Sequence, residues 1–322
     1  MQVFIAGATG VLGRRLVALC SARGHEVVGL TRDDAGAELV RESGGDPRRG
    51  DVLDRESVVE AASGADVLVH AATEIPTDTN PSEEEWALND RVRRVGAENL
   101  VAAAAEYDAD RVVLQSVVWV ARQPDGSQFD EESEPHPDRS TRSALAAERI
   151  VRDGADEHGY EPVVLRDGYF YAADTAHTKL FGERLADRRL PIIAGGLLGR
   201  ADAELSFVHV DDAARAFAAA VDGDATGTFH VVDDRPTTYA EFLRGFADRL
   251  DAPKPRRVPA WLAGLAIDDN MRRLLTRPMP TSNARFRQAF DWEPEYPTVE
   301  QGLDRVVAEW QQTGEVLDRG SR

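Results

Sequence analysis

The sequence predicts an α/β protein, a doubly wound parallel sheet with a smaller, mainly C-terminal lobe. Three observations carry that reading. Between Gln2 and Leu165 short β-branched runs alternate with amphipathic segments, the rhythm of a parallel sheet covered by helices on both faces. Three glycines, Gly7, Gly10 and Gly13, stand where the first run gives way to a helical pattern. Beyond Leu165 the alternation turns irregular, and a chain of 322 residues is long enough for a second lobe.

Strands are expected at 3–6, 26–30, 67–71, 111–115 and 162–165, with a shorter one ending near Arg49. A helix over about 83–107 opens on Ser82 and Glu85, a capping box that satisfies the orphan N–H groups of its first turn. The stretch 120–140, polar and rich in proline and acid, reads as a long loop of the kind that is often functional or mobile. A helix follows over about 141–158, then an amphipathic segment at 175–188 and a glycine-rich one at 191–199. FVHVDDAARAFAAAV (207–221) and TFHVVDD (228–234) read as a helix and a buried strand returning to the sheet. From Pro236 the pattern is helical, with capping boxes at Thr238/Glu241 and Thr298/Gln301. The expected division is a sheet domain of 1–171 plus 207–235, and a substrate lobe of 172–206 plus 236–322.

Composition bounds the partners. The chain carries 57 acidic against 38 basic residues, a net charge of −19, and its only lysines are Lys179 and Lys254. Such a surface repels phosphate backbones and anionic membranes, so neither nucleic acid nor a membrane is an expected partner. Acid excess with scarce lysine is also what a salt-adapted cytoplasm selects, where ions screen the repulsion. Cys20 is the only cysteine and shares a helix face with Leu12 and Leu16, so disulfides are excluded and burial is expected. No apolar run approaches the ~18 residues of a membrane span, and the expected location is cytoplasmic. A small-molecule substrate and further copies of the chain remain as partners.

The segment VFIAGATGVLGRRLVALCSARGHEVVGLTR joins a strand, the glycine turn, a helix and a second strand. That is the setting a dinucleotide-binding loop requires. One glycine allows the tight turn, one lets pyrophosphate approach the backbone and one lets helix and strand pack closely, while the helix aims its positive end at the phosphates. The fold class is therefore Rossmann-type, with Gly7, Thr9, Gly10, Val11, Leu12 and Gly13 assigned to the cofactor. Where the second strand ends stand Thr31, Arg32, Asp33 and Asp34. An arginine there suits the 2′-phosphate of NADP and a carboxylate suits the ribose of NAD. NADP is the first choice through Arg32, with NAD the second; Arg14 either assists or is a solvated helix residue.

These residues resemble the extended and atypical short-chain dehydrogenase/reductase superfamily, among them NAD(P)-dependent epimerase/dehydratase-like proteins. The likeness runs through GATGVLG at 7–13, GDVLD at 50–54, DVLVHAAT at 66–73, ENLVAAA at 98–104, RVVLQS at 111–116, SALAAERIV at 143–151, LRDGYFY at 165–171 and FVHVDDAARA at 207–216. The resemblance implies that Asp51 and Val52 meet the adenine, that Ala71, Ala72 and Thr73 run beside the nicotinamide ribose, and that Asn89 supports the site from the long helix. It assigns Ser116 as the catalytic serine; a strand-end hydroxyl bonded to nearby backbone is the other reading. It also places Ser140 where the family has its acid/base tyrosine and Ala144 where it has its lysine, and a serine hydroxyl is not tuned near neutral pH.

Tyr169 and Tyr171, just past the last strand of the sheet domain, are substitute acids or an aromatic wall. His177 and Lys179 border the same region, and His70 is expected to be packed. His209, Asp211 and Asp212 make a poor metal set, better read as a helix cap, and no metal is expected. The leading function is an NADP-dependent oxidoreductase or epimerase-like enzyme acting on a small polar carbonyl or hydroxyl compound through a non-standard proton donor, with Ser116 and Tyr169 as catalytic candidates. A non-catalytic NAD(P)-binding regulator or assembly factor is the alternative, and a sugar-nucleotide epimerase or dehydratase the third.

Overall fold

The computed structural model describes residues 1–76, 81–264, 267 and 269–314; residues 315–322 of the expected lobe lie outside them. In chain order the first part runs β1 (Gln2–Ala6), α1 (Val11–Ala22), β2 (Glu26–Thr31), α2 (Asp34–Glu42), β3 (Asp46–Arg49), α3 (Arg55–Ala61), β4 (Val67–His70), α4 (Glu83–Glu106), β5 (Arg111–Val117), α5 (Arg142–His158) and β6 (Glu161–Asp167). The second runs β7 (Tyr169–Tyr171), α6 (Ala176–Ala186), β8 (Ile192–Ala194), β9 (Glu204–Leu205), β10 (Phe207–His209), α7 (Val210–Asp222) and β11 (Gly227–Val231). The last runs β12 (Thr237–Thr238), α8 (Tyr239–Arg249), β13 (Arg257–Pro259), α9 (Ala260–Ala263), α10 (Asp269–Thr276), α11 (Ala284–Ala289) and α12 (Val299–Thr313).

Seven strands form one sheet in the order β11-β6-β5-β4-β1-β2-β3, every neighbouring pair parallel. The order reverses beside β1, and such a switch point opens a crevice at the carboxyl ends of the strands. Alternation sorts the strand residues between two cores. Phe4, Leu68, Val112 and Leu114 face α3, α4 and α5, while Val3, Ile5, Val69 and Val113 face α1 and α7. Each such side chain, fully buried, contributes roughly 1.5–3 kcal/mol. A third core, built on Tyr171, Phe207, Phe242, Phe246 and Trp310, holds the C-terminal elements together. Cys20, on α1, is completely buried in the core between the sheet and α7, and burial pushes its thiol up to about 12.

The capping boxes at Ser82–Glu85 and Thr238–Glu241 both close. That at Thr298/Gln301 does not: Thr298 precedes α12 but makes no capping hydrogen bond, and Gln301 is exposed. β5 and β6 each run two residues past the expected 111–115 and 162–165, because polar Ser116, Arg166 and Asp167 stay in the ladder. The loop over 120–140 is tied down, Phe129 being 4% exposed with its N–H on the Pro280 carbonyl at 3.2 Å. Among the described residues no helix is long and apolar enough to cross a membrane.

Candidate functional site

The glycine loop is packed backbone on backbone. Gly7 has φ +92°, and a Cβ on it would stand 2.6 Å from the carbonyl carbon of Ala71 and the nitrogen of Ala72. A Cβ on Gly13 would stand 2.0 Å from the Gly7 oxygen. The loop is closed by Gly10 donating to the Gly7 carbonyl at 3.0 Å. Gly10 caps α1 with no side chain of its own, and the first turn of α1 holds no acidic residue, so its free N–H groups are offered to an anion. Thr9 and Gly10 are exposed at the rim and Val11 half-buried. Leu12 is only 3% exposed in the α1-side core, so its backbone alone can face a phosphate. The donor set and the space that only glycine leaves both fit a dinucleotide.

The other residues assigned to the cofactor follow the ends of the adjoining strands. Arg32, after β2, is exposed, with its guanidinium 3.6 Å from exposed Glu74. Asp33 is occupied as the cap of α2, accepting from Gly36 N–H at 2.7 Å, and Asp34 pairs with Arg49 at 2.6 Å. Arg14 is held by Asp174 at 2.8 Å. Past β3, Asp51 accepts the Leu53 N–H at 2.9 Å, and the Val52 carbonyl accepts from Asn99 at 2.8 Å. Past β4, Ala71 is buried with its N–H on the Ala6 carbonyl at 2.8 Å, while Ala72 and Thr73 are half-buried. Asn89, fully buried on α4, accepts the Glu74 N–H at 3.1 Å, and its Nδ2 has no partner.

At β5 and β6 the site changes character. Ser116, 1% exposed, donates its hydroxyl proton to Glu148 at 2.6 Å. Glu148, on α5, also takes two hydrogen bonds from Arg166, at 2.9 and 2.7 Å, and one from Arg152 at 2.9 Å. Burial alone would raise its carboxyl, but the Arg166 contacts win and hold it below the usual range. The Ser140 hydroxyl donates to Asp138 at 2.7 Å. Ala144, 1% exposed, belongs to the apolar core with Val117, Val118 and Tyr171.

Tyr169 is half-buried with its ring edge on His177 at 5.2 Å and Phe207 at 5.6 Å, and burial pushes its phenol up. Tyr171 is completely buried, its hydroxyl without a partner. His177 and Lys179 lie on α6, His177 with Nε2 2.6 Å from the Phe170 carbonyl. His70 is packed at the end of β4, and burial lowers it to about 4. His209 caps α7, and Asp212 accepts the N–H groups of Glu295 and Tyr296 at 2.7 and 2.9 Å. Among the described residues no group of three or more His, Cys, Asp or Glu is arranged to hold a metal. Sequence reasoning missed the buried charges Arg93, Glu148, Arg166 and Asp167; the spacing of Arg93 four residues past Asn89 on α4 was the available signal.

The NAD dependent epimerase/dehydratase family matches residues 3–232. A 3-diazoavenalumate denitrifying reductase of Streptomyces sp is 36% identical over 321 residues, covering 95% of this chain and 100% of that protein. A 4-hydroxy-2-methyl-3-oxo-4-farnesyl-3,4-dihydroquinoline-1-oxide ketoreductase of Stigmatella aurantiaca is 31% identical over 201 residues, 61% of this chain and 58% of that protein. Among solved structures, the UDP-glucose 4-epimerase of Thermus thermophilus in complex with NAD superposes with a TM-score of 0.78 at 23% identity, covering 97% of this chain and 99% of that one, a likeness of fold. The chain belongs to the NAD dependent epimerase/dehydratase family, and its class is that of NAD(P)-dependent oxidoreductases and epimerase-like enzymes.

Proposed function

We propose that this member of the NAD dependent epimerase/dehydratase family is an NADPH-dependent reductase whose substrate takes up hydride without a proton from the protein. The pair Ser140 and Ala144 carries the reading: one is a hydroxyl bound to Asp138 at 2.7 Å, the other a methyl group in an apolar core. A reduced nicotinamide bound at the glycine loop supplies hydride. Reduction of a ketone also needs a proton at the oxygen, which a positioned acid delivers in the transition state. A carbon bearing a diazonium group needs none. The hydride pair becomes the new C–H bond, the C–N pair departs with neutral dinitrogen, and the charges cancel. The Streptomyces relative, named as a denitrifying reductase of a diazo compound, supports this class. The Stigmatella relative, named as a ketoreductase, supports reduction over epimerisation.

The chain's own residues prepare the site. Glu148, clamped by Arg166, Arg152 and Ser116, fixes the ends of β5 and β6 against α5. Ser116 thereby acts as a positioning residue, its hydroxyl engaged as a hydrogen-bond donor to Glu148. Ala144 is packed in an apolar core and offers no proton. Arg32 supports NADP, because Asp33 and Asp34, the carboxylates beside it, are engaged elsewhere.

The test uses 4-hydroxybenzenediazonium with NADPH deuterated at C4. Dinitrogen released in step with NADPH oxidation, deuterium on the vacated ring carbon and less than about tenfold loss of kcat/KM in Ser140→Ala are expected, since removing a true general acid costs about 10²–10⁴-fold. A hundredfold loss in that variant, with cofactor affinity intact, sinks the proposal. A second reading rests on Tyr169, half-buried with its ring edge on His177 at 5.2 Å, although burial raises its phenol and so weakens it as an acid. Ketone turnover abolished by Tyr169→Phe, with no diazonium reduction, selects it.

A further inference from the structure

Arg93 lies in the middle of α4 with 4% of its surface exposed. Asn89 and Gly96 share its helix face, and that face looks onto the carboxyl end of β4. Asn89 takes the N–H of Glu74 at 3.1 Å, and a Cβ on Gly96 would stand 2.4 Å from His70 Nε2. On the other side the guanidinium reaches the start of α5, donating to the Ser140 carbonyl at 3.3 Å. The cation therefore sits on the seam between α4 and α5, beside the two positions from which the family's acid and base are absent.

Its charge is not neutralised. The other buried arginines each have a carboxylate: Arg111 has Glu161, Arg122 has Asp138 and Arg166 has Glu148. Arg93 has none in ion-pairing distance among the described residues, and its Nε makes no hydrogen bond. The carboxylates that act on it do so from beyond ion-pairing distance. Asp90 holds Arg139 at 2.9 Å and Arg142 at 3.3 Å through Oδ2 alone, its buried Oδ1 making no hydrogen bond, and Glu148 holds Arg166, Arg152 and Ser116. His70, the titratable group at the end of β4, adds no negative charge. Burial draws the guanidinium down to about 10 against the pull of Asp90 and Glu148. Buried cations without a partner are costly and rarely kept without use.

We infer that Arg93 is an anion-binding residue of the substrate site, receiving a carboxylate or phenolate oxygen of the molecule that is reduced. The fork of the guanidinium suits such an oxygen. A substrate anion seated there completes the pair that the protein leaves open and holds the substrate against the seam of α4 and α5. The inference rests on the reductase reading, but its test reads binding and not turnover, so absent hydride transfer would leave the result below unchanged.

The probes are benzoate and its neutral isostere benzamide, titrated by calorimetry into the NADPH-saturated protein. Unmutated protein should bind benzoate at least tenfold more tightly than benzamide. Arg93→Met should remove that preference while NADPH affinity stays within threefold and the melting temperature holds or rises, because a buried uncompensated charge has been replaced by apolar volume. Arg93→Lys, which keeps the charge without the fork, should keep part of the preference. Equal binding of the two probes by the unmutated protein overturns the inference. So does a benzoate preference unchanged in Arg93→Met, or a fall in melting temperature in Arg93→Met that Arg93→Lys restores with no change in benzoate binding, the signature of a structural cation.

Discussion

Replacing Gly13 by alanine is the most exacting test of how the loop is built. The added methyl would stand 2.0 Å from the Gly7 oxygen and 2.8 Å from both the Ala8 Cα and the Gly7 carbonyl carbon. All three are backbone atoms, and non-bonded atoms settle at about 3.5–4.0 Å, so α1 must retreat by roughly 1.5–2 Å. Gly7 cannot retreat instead, because it already lies against Ala71 and Ala72 so closely that a Cβ on it would be 2.6 Å from their backbone. Overpacking of this kind costs about 1–3 kcal/mol. At ~2–4 °C per kcal/mol that is a drop of about 2–12 °C in melting temperature. The same displacement carries the N–H groups at the tip of α1 away from a bound phosphate. Losing one hydrogen bond to a charged group costs about 1.5–3 kcal/mol, or roughly 10–100-fold in NADPH affinity, read by fluorescence titration. Gly10→Ala is the control: its Cβ would meet only the Gly7 oxygen, at 3.3 Å, and its φ of −72° suits any residue. A Gly13→Ala protein that binds NADPH within twofold of the unmutated chain, or a Gly10→Ala protein that melts as low as Gly13→Ala, would refute the reasoning.

Arg32→Ala should reduce a preference for NADPH over NADH by about tenfold, the worth of one partly solvated charge-assisted contact, and Glu74→Gln should strengthen NADPH binding by freeing the guanidinium; equal affinities in the unmutated protein dismiss Arg32 from the 2′-phosphate. Asp233 is 1% exposed with both carboxylate oxygens unpartnered, and burial pushes its pKa well above the usual range. The folded state therefore holds this proton more tightly than the unfolded chain, so the stabilisation is full below about pH 4 and is lost as pH rises through the raised value. Asp233→Asn should melt higher than the unmutated protein at pH 8, by roughly 1–3 kcal/mol of stability, and show a flatter profile between pH 5 and 8; an unchanged slope removes Asp233 as its source. With a net charge of −19, the melting temperature should rise from dilute buffer to molar KCl as repulsion is screened, and indifference to salt would leave the acidity without its salt-adapted explanation.

What the sequence disclosed depended on how local the chemistry was. The strand cores and the boxes at Ser82–Glu85 and Thr238–Glu241 are set within a few residues, and the structure has them. The glycine turn was legible for the same reason, since the constraint on Gly7 and Gly13 is one of backbone space within a single turn. The ends of β5 and β6 were not. Ser116 and Arg166 stay in a buried ladder only because Glu148 receives both, from 32 and 18 positions away, and no local pattern announces such a partner.

On the proposed reading the reacting end of the site shows in the sequence only as an absence, at Ser140 and Ala144, because the group that stands beside them comes from another helix. Arg93 reaches Ser140 across 47 positions, and a buried arginine on a long charged helix looks in sequence like one more solvated face. The two features belong to one argument. An acid at Ser140 would have matched negative charge developing on a substrate oxygen by giving it a proton. A guanidinium held in a water-poor seam matches negative charge by its field alone, and there the field is strong because little screens it. A site arranged in this way favours a substrate that brings its own anion and sheds its leaving group as a neutral molecule. On the proposed reading Ser140, Ala144 and the unpaired Arg93 bear on the same chemistry, so Ser140→Ala should be mild while Arg93→Met should lose the preference for an anionic probe.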